Sequence, residues 1–139
     1  MTSSQPSYSS TTAGQQKHPF LAKPTEKPLV ALKGRRNGYI MLAPSQETEH
    51  YETLSDAALF AARAWATQLE ALGSPRAYWI VLSEVTRHLH IHLFPRWPED
   101  ILSGVALFES RDTHPQPAWS KPVESALQAW AREYEVEIL

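Results

Sequence analysis

Apolar and polar positions follow two rhythms along this chain, and each rhythm predicts a type of element. Residues 1–16 carry neither: half of them are Ser or Thr, and Tyr8 is the only large apolar side chain after Met1. Such a segment buries too little surface to offset its ordering entropy. A disordered tail is therefore expected over 1–17, ahead of one domain over 18–139. Pro28–Leu32 reads as a first strand and Tyr39–Ala43 as a second, stopped by Pro44. Between them, Lys33-Gly34-Arg35-Arg36-Asn37-Gly38 ends in Asn-Gly, the strongest short-range hairpin signal.

Ser55 and Asp56 can cap a helix reaching about Leu72, in which Leu59, Ala62, Trp65, Ala66, Leu69 and Leu72 recur at three- and four-residue spacing. Gly73 and Pro75 end it in the expected order. Ala77–Leu82 is aromatic and β-branched, which predicts a strand, and Arg87–Phe94 predicts another, closed by Pro95. Gly104–Phe108 reads as a short strand or irregular segment, and 111–120 as a Pro-rich loop. Ser120 can cap a last helix with Val123, Leu127, Trp130 and Tyr134 on one face. Strands in pairs with helices between and after them predict an α+β fold with an antiparallel sheet.

Composition narrows the chemistry. A length of 139 residues suits one domain with an ordinary core. Cysteine is absent, which excludes disulfides, thiolate nucleophiles, iron–sulfur clusters and Cys-based zinc sites. Thirteen Lys and Arg against fifteen Asp and Glu leave a formal charge of −2, so a broad electrostatic grip on nucleic acid is not expected. The chain has neither an apolar run of membrane-spanning length nor the apolar core of a secretory signal, and a cytoplasmic location is the expectation.

The chemically informative stretch is Arg87-His88-Leu89-His90-Ile91-His92-Leu93-Phe94-Pro95-Arg96. Side chains alternate across a strand, so Leu89, Ile91 and Leu93 face a core while His88, His90 and His92 form a row on the other face. A lone strand histidine is ordinarily a packed or surface residue, but three in strict alternation are hard to attribute to chance. Imidazoles ligate metals, yet three on one flat strand span about 13 Å and need help from elsewhere to close on one ion. A neutral imidazole can also attack phosphorus, splitting one hard step into two easier ones.

His88-Leu89-His90-Ile91-His92-Leu93-Phe94-Pro95-Arg96 resembles the signature of the histidine triad (HIT) superfamily, with alternating histidines and apolar residues followed by Pro-Arg. Asn37-Gly38-Tyr39-Ile40-Met41-Leu42-Ala43-Pro44 is similar to that family's early Gly-His strand. The resemblance covers roughly residues 28–98. It implies a HIT-like α+β fold with an antiparallel sheet of about five strands and two main helices, and usually a homodimer with abutting sheets. It implies a nucleotide hydrolase or nucleotidyl transferase acting at the α-phosphate of phosphoramidates, dinucleoside polyphosphates or adenylylated compounds. His90 would be the nucleophile, with His88 and His92 orienting it and contacting phosphate. No cofactor and no metal would be needed for the covalent step. Asn37, Tyr39, Ser83, Thr86, Arg96 and Trp97 would line the substrate site.

The chain departs from that pattern at two places. Tyr39 stands where the family often has a histidine, and Glu84 where it usually has a glutamine. A carboxylate near a polyphosphate is unfavourable unless neutralised, as Arg87 or Arg96 could do. These departures motivate a second reading, a nucleotide- or metal-binding regulatory protein with weak turnover. A third is an interaction module built on the basic run of Lys33, Arg35 and Arg36, which reads first as a solvated turn and otherwise as a phosphate contact. Phe20, Trp79 and Trp97 can stack on a base, Trp79 being expected in the core and Trp97 the better stacking candidate. His50 is a candidate fourth imidazole.

Overall fold

The computed structural model describes residues 19–48, 50, 54–83 and 86–139. The expected tail and Glu84 lie outside the described residues. Five strands form one sheet: β1 (Leu29–Lys33), β2 (Ile40–Pro44), β3 (Arg76–Ile80), β4 (Ile91–Arg96) and β5 (Val136–Ile138), in the order β3-β4-β2-β1-β5. The helices are α1 (Asp56–Ala71), a short α2 (Gly104–Glu109) and α3 (Lys121–Tyr134), with 3₁₀ turns at Pro19–Leu21 and Ser110–Asp112. Among the described residues, no helix is long and apolar enough to cross a membrane.

Local chemistry accounts for the main elements. The β1–β2 hairpin closes in antiparallel register with Lys33 opposite Ile40, and Gly38 takes the left-handed φ of +84° that its turn requires. The Ser55 side chain caps α1 by accepting from the Ala58 amide, and Ser120 caps α3 by accepting from the Val123 amide. α1 and α3 cover one sheet face, where Leu29, Ala31, Ile40, Leu42, Ile91, Leu93 and Val136 meet Trp65, Leu69, Leu127 and Trp130. The indole N–H groups of Trp65 and Trp130 donate to the Gly38 and Ala61 carbonyls at 2.9 and 2.8 Å. Both bury large ring surfaces with their polar handle satisfied, so truncating either costs about 3–5 kcal/mol.

Several expectations are corrected. Gly104–Glu109 is a helix: Leu107 and Phe108 turn inward onto the second sheet face while Val105 and Ala106 face solvent. Fewer than two helical turns are too short for their periodicity to be read. β5 was not anticipated at all; three residues after α3 pair parallel with β1, so the sheet is antiparallel except at that edge. On α1 the buried stripe runs Ala58, Ala61, Ala62, Trp65, Leu69, leaving Leu59 exposed, because small alanines let the helix sit close to the sheet. β4 begins at Ile91 rather than Arg87 and runs through Pro95. Pro95 is tolerated because β2 pairs with β4 only as far as Leu93, leaving Pro95 a neighbour on β3 alone. Trp79 lies on edge strand β3 and is 44% exposed rather than in the core.

Candidate active site

The second sheet face carries the site. Phe20, delivered by the 3₁₀ turn, packs at one end with Val30 and Ala43. α2 closes the other end with Leu107 and Phe108 against Tyr39 and Phe94. The histidines lie between these two aromatic ends, and all three are buried. Although His88 and His90 precede the β4 ladder, they are held as firmly as ladder residues. The Leu89 amide donates to the Thr48 carbonyl at 2.7 Å, and the His90 amide donates to Ser83 Oγ at 3.2 Å.

Each ring is pinned by one nitrogen. His88 Nε2 donates to the Pro44 carbonyl at 2.6 Å. His90 Nδ1 lies 2.8 Å from the His88 carbonyl oxygen, which can only accept. The His90 proton therefore sits on Nδ1, and the neutral ring keeps its lone pair on Nε2. His92 Nδ1 lies 2.8 Å from the Tyr39 hydroxyl. Phe20 stacks on His88 and tilts over His90, with centroids 5.6 and 4.9 Å apart. The His92 ring meets His90 at 4.8 Å and Phe108 at 5.2 Å, both edge-on.

Burial sets the protonation states. It pushes the His90 imidazolium below its ordinary range, against a smaller opposing effect of the His88 carbonyl. Burial, then His90 and Arg111, bring His92 down to about 4. Burial likewise raises the Tyr39 phenol to about 12, with Arg111 opposing. At neutral pH His90 and His92 are uncharged imidazoles beside an uncharged phenol. A phenol is a stronger acid than a neutral imidazole N–H, so the Tyr39 hydroxyl donates to His92 Nδ1, leaving His92 with its own proton on Nε2.

The positions around the row fall into two groups. Ser83 joins it, with Oγ also 3.4 Å from His90 Nδ1; its φ of +52° is a left-handed value rare for a residue other than glycine. Tyr39 joins it through His92. Its ring lies so close to Gly34 that a Cβ there would stand 2.1 Å from Tyr39 Cδ2. Asn37 and Trp97 are not brought to the row. Trp97 packs on the α1 side and donates from its indole to the Asn37 carbonyl at 2.9 Å, and Asn37 Oδ1 accepts from the Ser120 amide at 2.9 Å. Arg96 shares the histidine face but lies four residues, about 13 Å, beyond His92. Thr86 is half-buried and His50 exposed.

The basic run divides. Arg36 is buried, ion-paired with Asp100, and donates to the Pro95 carbonyl and Gln116 at 2.8 Å each. Lys33 and Arg35 instead border a cavity of about 330 Å³ together with Tyr39, His92, Arg111 and Asp112. Arg111 and Phe108 were missed by sequence reasoning, since both fall in a segment without readable periodicity. Among the described residues, no group of three or more His, Cys, Asp or Glu side chains is arranged to hold a metal ion.

No protein-family model matches the chain, and no curated protein matches it significantly. Among solved structures, it is similar to a zinc-bound histidine triad family protein from Mycobacterium smegmatis, 14% identical over 88% of this chain and 90% of that one, with a TM-score of 0.47. It is also similar to a hypothetical histidine triad nucleotide-binding protein from Sulfolobus tokodaii, 22% identical over 91% of this chain and 89% of that one, with a TM-score of 0.36.

Proposed function

We propose that the chain is a nucleotide hydrolase or nucleotidyl transferase of the histidine triad type, with His90 as the nucleophile at the α-phosphorus of its substrate. The observation that carries this reading is the bond from His90 Nδ1 to the His88 carbonyl. It fixes the one tautomer whose Nε2 lone pair can attack, in a ring kept neutral by burial. In the first step the Nε2–P bond forms while the bond from phosphorus to the leaving group breaks, and the leaving group departs with the electron pair. In the second step water or another acceptor oxygen attacks phosphorus, the P–Nε2 bond breaks, and the acceptor's proton passes to solvent. His92, with Nε2–H, supplies a neutral donor to the phosphoryl oxygens.

A homodimer belongs to the same reading. Edge strand β3 has no partner on its outer side among the described residues. Beside it lies an apolar groove bordered by Trp79, Ile80, Leu82, Val105 and Phe108, a surface of the kind that associating sheets cover. Sedimentation of wild type and Leu82→Glu tests it; a monomer in both overturns the dimer.

The test of function is intact-mass and turnover analysis of wild type and His90→Ala. The panel holds an adenosine phosphoramidate, diadenosine polyphosphates and an adenylylated amino acid, each with and without a chelator. Chelator-insensitive turnover, a nucleotidyl mass increment, and loss of both in His90→Ala are expected. Equal turnover in His90→Ala overturns the reading, and nucleotide binding with neither adduct nor turnover replaces it with a binding protein.

A further inference from the structure

The two ends of the histidine row differ in character. At one end Phe20 presents an uncharged ring to His88 and His90. At the other, His92 and Tyr39 open onto the cavity of about 330 Å³, into which Lys33, Arg35 and Arg111 bring positive charge against the single carboxylate of Asp112. Three chain segments contribute these groups: the end of β1, the hairpin turn, and the 3₁₀ turn after α2. Their convergence is a property of the fold rather than of one basic run, since Arg36, from the same run, turns away into a buried ion pair.

We propose that Lys33, Arg35 and Arg111 form an anion subsite beside His92 that receives a second phosphate-type group of the substrate, on the leaving-group side of the reacting phosphorus. The inference rests on the phosphoryl-transfer reading and selects within it. The uncharged nucleoside half lies toward Phe20 and the charged remainder toward Arg111. The favoured substrate is then a nucleoside oligophosphate, in which the reacting phosphoryl group is joined to further phosphate, rather than a phosphoramidate with an amine leaving group.

Arg111 is the anchor. Its guanidinium is held 3.9 Å over the Phe108 ring, and its Nη1 donates to the Phe108 carbonyl at 2.9 Å. It has no carboxylate partner among the described residues. A planar, pre-oriented guanidinium suits a phosphate oxygen pair. Arg35 approaches Asp112 only at 3.8 Å with both side chains exposed, a weak pair that an arriving anion can replace. Lys33 is engaged by Glu124 and lies 4.7 Å over the Trp119 ring, so it adds field rather than a direct contact. The cavity continues past Arg35, Arg111 and Asp112 into a second hollow of about 660 Å³ that includes His114, Gln116 and Trp119. A leaving group longer than one phosphate therefore has somewhere to go.

The test separates the subsite from the chemistry. Inorganic pyrophosphate is titrated calorimetrically into wild type, Arg111→Met, Arg111→Lys and Arg35→Ala. Saturable binding is expected, weakened about tenfold or more in Arg111→Met, partly recovered in Arg111→Lys, and weakened two- to fivefold in Arg35→Ala. The exposed Arg35 substitution keeps the test decisive if Arg111→Met fails to fold. In parallel, the ratio of kcat/KM for diadenosine tetraphosphate over adenosine phosphoramidate should fall at least tenfold in Arg111→Met. No saturable pyrophosphate binding, or affinities and ratios within twofold of wild type, overturn the subsite even where His90 forms its adduct. Arg111-dependent pyrophosphate binding without any His90 adduct instead overturns the phosphoryl-transfer reading and leaves the subsite standing.

Discussion

The Tyr39 hydroxyl and Nδ1 of His92 are 2.8 Å apart, and the phenol, a stronger acid than a neutral imidazole N–H, is the donor. Arg111, which lines the same cavity, sets its positive charge near the phenol and sharpens its acidity against the effect of burial. The consequence is a fixed tautomer at His92, with the ring proton on Nε2. Tyr39→Phe removes the constraint without changing the ring. Imidazole ¹⁵N spectra should show His92 wholly Nε2-protonated in wild type and a mixture of tautomers in the variant. Turnover should fall about ten- to a hundredfold, and stability by about 1 kcal/mol, the ordinary net worth of one hydrogen bond. An unchanged ¹⁵N pattern would show that Tyr39 does not set the proton's position.

Protonation of the row should also be visible in stability. The folded His92 holds off its proton to about pH 4, whereas the unfolded side chain takes one near 6.5. Between those values the unfolded chain binds more protons, so stability falls as pH is lowered from about 6.5 to 4 and flattens below. His92 alone accounts for about 3 kcal/mol across that window. The direction at His90 is the same. Glu124, whose carboxyl is held low by Lys33, loses its contribution only below the ordinary carboxylate range. Urea midpoints measured from pH 7 to 5 isolate the histidines, and His92→Gln should flatten the slope. A midpoint independent of pH in wild type would contradict neutral buried imidazoles.

Much of this was legible beforehand, for identifiable reasons. The His88-His90-His92 alternation and the Ser55 and Ser120 caps are local signals, and local signals survive into the fold. So is the hairpin at Asn37-Gly38, although Asn37 turned out to hold Ser120 rather than line the row. Long-range facts were not readable. The parallel pairing of Val136–Ile138 with β1 depends on where α3 delivers the chain. Arg111 comes to the cavity that Tyr39 lines because the short helix α2 folds over the sheet just before it. The separation of Arg36 from Lys33 and Arg35 follows from Asp100, sixty-four residues away in sequence. A charge run in sequence carries no information about which cation finds a buried carboxylate.

Phe20 should control the nucleophile's environment from outside the strand. It is 2% exposed and lies against both His88 and His90. Phe20→Ala opens that end of the row to water. Weaker desolvation should move the His90 titration back toward 6.5, read from its ring C–H resonance in NMR. Loss of the buried ring costs about 3–5 kcal/mol, less where the site collapses. A large stability loss with no movement of His90 would mean that Phe20 only packs.

Arg36 should matter for stability more than for binding. Its guanidinium is 1% exposed and joins the hairpin turn to the Pro95 carbonyl, Asp100 and Gln116. Asp100 is fixed in turn by the Trp97 amide at 2.7 Å. Removing the cation strands a half-buried carboxylate, so Arg36→Met should cost about 3–5 kcal/mol in chemical denaturation. Arg36→Met with Asp100→Asn should recover part of that loss, because no uncompensated charge remains. Equal losses in the single and double variants would place the effect in packing against Phe94, over whose ring Arg36 lies at 4.9 Å.

Gly34 offers an independent way to move Tyr39 without touching its hydroxyl. An added Cβ would stand 2.1 Å from Cδ2 of that ring, far inside contact distance, and a ring edge cannot yield as a flexible side-chain end can. Phe94 also packs edge-on against that ring, with centroids 4.8 Å apart. Gly34→Ala must therefore displace Tyr39 as a body, at an overpacking cost of about 1–3 kcal/mol. Displacement pulls the hydroxyl off His92 Nδ1, and the variant should show the mixed His92 tautomers expected of Tyr39→Phe. The two changes act through one bond, so their effects on turnover should not add. In the Gly34→Ala background, Tyr39→Phe should cost less than twofold, against ten- to a hundredfold in wild type. Fully additive losses would mean that the hydroxyl acts on substrate directly, and that the contact with His92 is incidental to turnover.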